Sequence, residues 1–260
     1  MKDKKTRIRT FFYGNDWRSK IVFGKVKNNP NIELISQWRK ANFGLVASYG
    51  KILTEKEISH FKFGLLNVHP SLLPQYRGGK PVVATILQGE KITGVTIIKL
   101  VEKVDAGPIV AQKQEKVLTN DTTESLEKRL FKRGGELLNK ILIDYLTGRI
   151  SPRLQDEKSA SWAPKLKKGD GEIDWQKSPA YLERFIRAMY PWPGARIHKL
   201  PKLLKSLKLL KGHLEKNKLV LDLVQLEGKR PVAFRQFLVG YPQLRPFFAS
   251  KKPLLLLANT

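Results

Sequence analysis

Residues 43–69 read FGLVASYGKILTEKEISHFKFGLLNVH, and their pattern decides the fold. Phe43 to Ser48 is a continuous apolar run of strand length, and Gly64 to Val68 (GLLNV) is a second. Unbroken runs of this kind suit strands covered on both faces in a parallel sheet. Parallel neighbours need a crossover between them. Thr54, followed three residues later by Glu57, supplies one, because that pair is a capping-box signal for a helix start.

The same alternation extends outward. Upstream, Ile8 to Tyr13 reads as a strand ending at Gly14, and Asp16 to Lys27 as a helix. Asn28 to Asn31 break it, and Ile32 to Ile35 is a short strand. Downstream, Pro81 to Gln88 is helical, with proline at its start and Gly89 as its stop. Val95 to Leu100 and Ile109 to Gln114 read as strands. Leu126, Leu130, Leu137, Leu138, Ile141 and Tyr145 put one apolar face on a long helix over 121–146, ended by Gly148. The expectation is an α/β fold with a largely parallel sheet. Past residue 148 the chain is polar and glycine-containing over 150–171, as a linker would be. Residues 179–189 then predict a helix, and Lys218 to Gln225 alternates as a strand of a small β-rich second domain.

Lysine and arginine total 49 against 23 acidic residues, a formal net charge of +26. Such an excess points to a polyanionic partner, nucleic acid before an anionic membrane. Cysteine is absent, which excludes disulfide frameworks and thiolate metal sites and fits a reducing cytoplasm. Met1 to Thr10 lacks the apolar core of a secretory signal, and the apolar run Leu254 to Ala258 is far too short for a bilayer. Lys199, Lys202, Lys205, Lys208 and Lys211 recur among leucines, a pattern seen in membrane-surface helices. A period of three drifts around a helix, and Pro201 and Gly212 bracket the piece, so strands are expected instead.

The chemistry-bearing residues gather between Gly64 and Val110. Asn67 and His69 fall two apart at the end of a strand, so both side chains leave one face. The carboxyl ends of strands are where open α/β sheets bind ligands. An amide and an imidazole side by side there can both donate to one oxygen, which an acyl-transfer intermediate requires. Asp105, on another loop, can orient the imidazole, keep it protonated or handle a proton through water. Taken singly, each has a plain structural explanation as a turn residue or strand-end hydrogen bonder. His60, His69, His198 and His213 are scattered without ligand spacing, so no metal site is expected.

Together the motifs resemble a family. NVHPSLLPQYRG (Asn67 to Gly78), TGVT (Thr93 to Thr96) and VDAGPIVAQ (Val104 to Gln112) are similar to the hallmark of enzymes that use 10-formyl-tetrahydrofolate, and VASYGKIL (Val46 to Leu53) to the strand before it. WAPKLKKGDGEIDW (Trp162 to Trp175), ERFIRAMYPWPGA (Glu183 to Ala195) and LVQLEGKRPVAFRQFLVGY (Leu223 to Tyr241) resemble the second half of methionyl-tRNA formyltransferases. The resemblance implies a Rossmann-like sheet with helices on both faces, followed by a small C-terminal β-barrel. It divides the chain into a catalytic domain over 1–149, a linker over 150–171, a tRNA-binding barrel over 172–245 and a tail over 246–260. It implies Asn67, His69 and Asp105 as the catalytic triple. Ser71, Leu72, Leu73 and Pro74, with Val104 and Ala106 of the closing loop, would line the folate site. Methionyl-initiator tRNA would meet Lys165, Lys167, Lys168, Arg187, Arg196 and Lys202. The folate is the formyl donor, with no metal. No obvious apolar interface helix is present, so a monomer is expected.

The sequence departs from the family ahead of Phe43. Ile8 to Gly14 resembles the family's first strand and turn and Asn31 to Gln37 its third strand, so a strand, its loop and a helix between them are expected to be missing. Two other readings share the motifs: a sugar-nucleotide N-formyltransferase, and a catalytically degenerate RNA-binding relative.

Overall fold

The computed structural model describes residues 7–201, 203, 205–251 and 254–256. The chain divides into two compact units. The first takes Met1–Val82, Lys91–Val117 and Ser125–Pro164, and the second Val83–Glu90, Leu118–Glu124 and Lys165–Thr260.

In chain order the first stretch runs β1 (Ile8–Tyr13), α1 (Trp17–Val26), β2 (Ile32–Leu34), β3 (Phe43–Ala47), α2 (Glu55–His60), β4 (Leu65–His69) and the short β5 (Arg77–Gly78). There follow α3 (Pro81–Gln88), β6 (Ile92–Lys99), β7 (Ile109–Lys116), α4 (Thr123–Leu146) and β8 (Trp162–Ala163). The helix starts follow the sequence signals. Asp16 caps α1 in a capping box with Ser19, and Thr54 caps α2 in one with Glu57.

The main sheet of the first unit has the order β2-β1-β3-β4-β6-β7. β2, β1, β3 and β4 are parallel, while β6 and β7 run antiparallel to their neighbours. Val22 and Val26 of α1 and Phe131, Leu138 and Leu142 of α4 cover one face, over Phe43, Leu45, Leu66, Val68 and Ile97. On the other face Phe61 and Leu53 pack with Tyr13, Val46 and Leu65. α4 approaches β4 closely at Gly134, where a Cβ would lie 2.4 Å from Val68 Cγ1. That contact accounts for a glycine inside a long helix despite its propensity cost of ~1 kcal/mol.

Residues 150–164 are drawn onto this unit rather than left free. Arg153 bridges to Ile109, and β8 pairs in parallel with β5. The segment carries Gln155 and Glu157, which matter below.

The second unit is built on an antiparallel sheet of order β12-β11-β10-β9, comprising β9 (Arg196–Ile197), β10 (Leu207–Glu215), β11 (Lys218–Leu226) and β12 (Val232–Ala233). The β-rich C-terminal part expected from the sequence takes this form. α5 (Pro179–Met189), capped by Ser178, buries Leu182, Phe185 and Ile186. α6 (Phe234–Gly240) and α7 (Arg245–Ala249) add Phe237 and Phe248, whose rings meet edge to face. The tail beginning at Pro246 is therefore partly core: Phe248 is buried, and Leu255 bridges to Leu219. The leucine–lysine stretch forms no helix among its described residues. Its strand β10 carries a register shift between Leu209 and Lys211, an irregularity that lets Lys208 and Lys211 both face outward although three apart.

Candidate active site

The strand order reverses between β1 and β3, and open α/β sheets bind ligands where such a switch meets the carboxyl ends of strands. The ends of β1 and β3 are tied together there. Ser48 Oγ donates to Asp16 Oδ2 at 2.8 Å, and Arg18 bridges Asp16 (2.7 Å) and Glu127 (2.5 Å). Burial works against the Asp16 carboxylate, but hydrogen bonds from the Ser19 amide, Ser48 and Arg18 hold its pKa below the usual range. At Glu127 burial wins and raises the pKa despite Arg18.

β4 lies one place further on, flanked by β3 and β6, and ends at His69. His69 is 4% exposed. Its Nε2 lies 3.0 Å from the Tyr76 carbonyl. A carbonyl only accepts, so Nε2 carries the hydrogen of that bond. Its Nδ1 lies 3.5 Å from Asp105 Oδ2, and the same oxygen accepts the Gly78 amide at 2.9 Å. Asn67 stands two residues back on the same face, half-buried, and its amide has no hydrogen-bond partner among the described residues. His69 and Asp105 thus come together as expected from the sequence. Both ring nitrogens already have neighbours, and the free donor on this face is Asn67.

Asp105 sits at φ +50°, in the left-handed region. Non-glycine residues persist there when their surroundings hold them, at a cost of ~1–3 kcal/mol. What holds this one is Gln155, whose Nε2 donates to the carbonyls of Asp105 (2.8 Å) and Gly107 (2.7 Å). Gln155 Oε1 in turn accepts from Arg77 Nε and Nη2 at 3.1 and 2.8 Å. The Arg77 side chain is only 1% exposed and pairs with both carboxylate oxygens of Glu157, which also binds Lys103. Hydrogen bonds from Arg77 and then Lys103 bring the Glu157 pKa down to about 2. Sequence reasoning passed over this chain of contacts. Arg77 lay inside a quoted motif without a role, and Gln155 and Glu157 lay in the stretch read as linker.

The remaining expected residues divide by what their side chains already do. Ser71 Oγ donates to the Gln75 carbonyl at 2.6 Å and is fully buried, and Leu73 packs with Ile98 and Ile109. The backbone beside them is pinned by Thr96 Oγ1, which donates to Ser71 O at 2.6 Å and accepts from Leu73 N at 3.1 Å. Leu72, Pro74 and Ala106 are half-buried and Val104 is exposed, so these keep surface for a ligand. In the second unit Lys165, Lys167 and Lys168 are exposed, and Arg196 is half-buried. Arg187 is committed internally, to Glu183 (2.5 and 2.9 Å) and to the Asp121 carbonyl (2.7 Å). Lys202 lies outside the described residues. Among the described residues no group of three or more His, Asp or Glu side chains is placed to hold a metal ion. No helix among them is long and apolar enough to cross a membrane.

Residues 24–142 match the formyl transferase family, and residues 165–219 match the formyl transferase C-terminal domain. A methionyl-tRNA formyltransferase of Chloroflexus aurantiacus is 46% identical over 152 residues, which cover 58% of this chain and 49% of that relative. One of Thermodesulfovibrio yellowstonii is 35% identical over 216 residues, covering 76% of this chain and 70% of the relative. The chain spans about half the length of several of the relatives it matches. A methionyl-tRNA formyltransferase structure from Clostridium thermocellum superposes with a TM-score of 0.64 at 21% identity, over 85% of this chain and 99% of that one, a likeness of fold. With the HPSLLP loop closed around a histidine–aspartate pair and both halves matched, the chain belongs to the formyl transferase family, the family of these methionyl-tRNA formyltransferases.

Proposed function

We propose that the chain transfers the formyl group of 10-formyl-tetrahydrofolate to the α-amine of methionyl-initiator tRNA. The observation that carries the reading is the His69–Asp105 pair at 3.5 Å, with Asp105 fixed by the Gly78 amide at the end of β4. The amine lone pair attacks the formyl carbon, a C–N bond forms, and the carbonyl oxygen takes the charge. The unengaged Asn67 amide donates to that oxygen, joined by His69 once its ring turns from Tyr76. As the intermediate collapses, the bond to folate N10 breaks and N10 leaves with the proton that the amine gives up. Asp105 orients His69 and a water that carries this proton. The folate supplies the one-carbon unit as co-substrate, and the residues need no metal for these steps.

In this reading residues 1–149 do the chemistry, 150–171 are the linker, 172–245 hold RNA, and 246–260 are the tail, of which Phe248 and Leu255 pack into the second unit. Leu72, Pro74, Val104 and Ala106 keep surface for the folate, while Ser71 and Leu73 shape the loop from within. Lys165, Lys167, Lys168 and Arg196 meet phosphates, supported by the net charge of +26. Lys202 belongs to the same basic stretch, and Arg187 acts by fixing α5. A monomeric cytoplasmic protein fits the composition. The test is incubation with 10-formyl-tetrahydrofolate and methionyl-initiator tRNA. Formyl-methionine on the tRNA supports the reading. Its absence, with formylation of an amino-sugar nucleotide or RNA binding alone, refutes it.

A further inference from the structure

The second unit carries a pocket of about 360 Å³ that the formyl-transfer chemistry does not use. Trp192, 49% exposed, lines it. Lys168, Arg196, Lys208, Gln225 and Glu227 line it as well. The strand register makes the arrangement unusual. Lys208 of β10 lies directly opposite Arg196 of β9 on one side and Gln225 of β11 on the other. Like charges directly opposite on neighbouring strands oppose each other. Among the described residues neither Lys208 nor Lys168 has an ion-pair partner, and Arg196 Nε is buried without a hydrogen bond. Glu227 is held by Ser206, through its amide at 3.1 Å and its hydroxyl at 3.0 Å, which lowers the Glu227 pKa and fixes an ionised acceptor at the wall.

An exposed aromatic face beside unneutralised cations is what an unpaired nucleotide meets in single-strand binding sites. We propose that this pocket binds one unpaired nucleotide of the RNA. The base stacks on Trp192, its amino edge faces Glu227, and its phosphates neutralise Lys168, Arg196 and Lys208. The volume falls in the range of ~300–1,000 Å³ usual for small-ligand sites. The inference rests on the reading of the partner as tRNA, but not on the transfer chemistry.

The test measures binding of uncharged initiator tRNA without folate, for wild type, Trp192→Ala, Trp192→Phe and Lys208→Ala, each across a salt series. Stacking energies for one base predict that Trp192→Ala weakens binding by about 5- to 150-fold, with an unchanged salt slope. Trp192→Phe keeps binding within about threefold of wild type, because a ring face remains. Lys208→Ala lowers the salt slope by about 0.7, the value for one single-strand phosphate. Wild-type affinity in Trp192→Ala overturns the proposal. Formyl-methionine yield, measured on the same proteins, separates the two ideas. A chain that binds RNA through Trp192 yet forms no product keeps the pocket and loses the transferase reading. A chain that forms product with Trp192→Ala at undiminished affinity does the reverse.

Discussion

Replacing Gln155 by Ala removes four hydrogen bonds, two accepted from Arg77 and two donated to the carbonyls of Asp105 and Gly107. The orientation of the amide follows from its partners, since a guanidinium only donates and carbonyls only accept. Arg77 stays paired to Glu157, so no buried charge is stranded. Its Nε–H does lose its partner in a side chain only 1% exposed, at a cost of about 1–3 kcal/mol. The two carbonyls add about 1 kcal/mol, because Gly107 is buried while Asp105 keeps some access to water. The expected destabilisation is therefore about 2–4 kcal/mol, read from urea unfolding of the full chain. Activity should fall further, because Asp105 would lose the contacts that hold its φ of +50°. Misplacing a reacting group by ~1 Å costs up to ~100-fold, so kcat/KM for formyl transfer is expected to drop about 10- to 100-fold. Gln155→Glu separates the two halves of the argument. A carboxylate still accepts from Arg77 but cannot donate to the loop, and its second oxygen would face the Asp105 and Gly107 carbonyls, so the Arg77 bonds should be kept while the loop and the activity are lost. Stability within about 0.5 kcal/mol of wild type and kcat/KM within about twofold in Gln155→Ala would refute the reasoning. So would a fully active Gln155→Glu.

His69→Ala should lower the transfer rate about 100-fold or more while folate binding persists, and full retained activity in single-turnover assays excludes the role assigned to it. Glu157 has its pKa lowered from 4.5 to about 2, so the stability it contributes is complete above pH 4.5 and is lost as pH falls toward 2. The melting-temperature difference between wild type and Glu157→Gln should accordingly be constant near neutrality, close in that acid window, and shrink with salt, since the side chain is 56% exposed. Parallel melting curves across the window refute it. Gly107→Ala would put a Cβ 1.8 Å from the Lys99 carbonyl, a backbone atom that cannot swing away, and should destabilise the first unit by about 1–3 kcal/mol or more. An unfolding midpoint equal to wild type would show that the close approach is relieved at no cost. Amide exchange should be fastest in β2 and slowest in β3, β4 and β6. Equal rates in β2 and β4 would contradict the order of layers.

Much of the first unit was legible because its signals are local. Thr54 with Glu57 and Pro81 with Gly89 mark helix boundaries by short-range chemistry, and the apolar run at Phe43 matches a fully buried strand. Asn67 and His69 could be assigned to one face from strand period alone. The partners of Asp105 were hidden for the opposite reason. Gln155 lies fifty positions from Asp105 and in a polar stretch, and nothing in its own neighbourhood announces a bond to a distant loop. β10 shows a subtler limit. Its every-third lysines fit neither helix nor regular strand, and the irregularity after Leu209 that resolves them appears only in the pairing with β11.

The sheet order shows which strands the candidate site depends on. The strand that ends in His69 has β3 on one side and β6 on the other, each paired over four residues. Its contacts therefore come from Phe43 onward, where α4 also covers it through Gly134. β2 stands two strands beyond β3's far side, three residues long and paired only to β1, so its outer backbone groups gain nothing from the sheet. Loosening there must pass through β1 before it reaches the switch point, where Asp16 is anchored by Ser48 and by Arg18 from within α1. Those ties hold the end of β1 to the end of β3 independently of β2. The geometry of His69 and Asp105 thus depends on the inner strands and on Gln155, and not on the outer edge of the sheet.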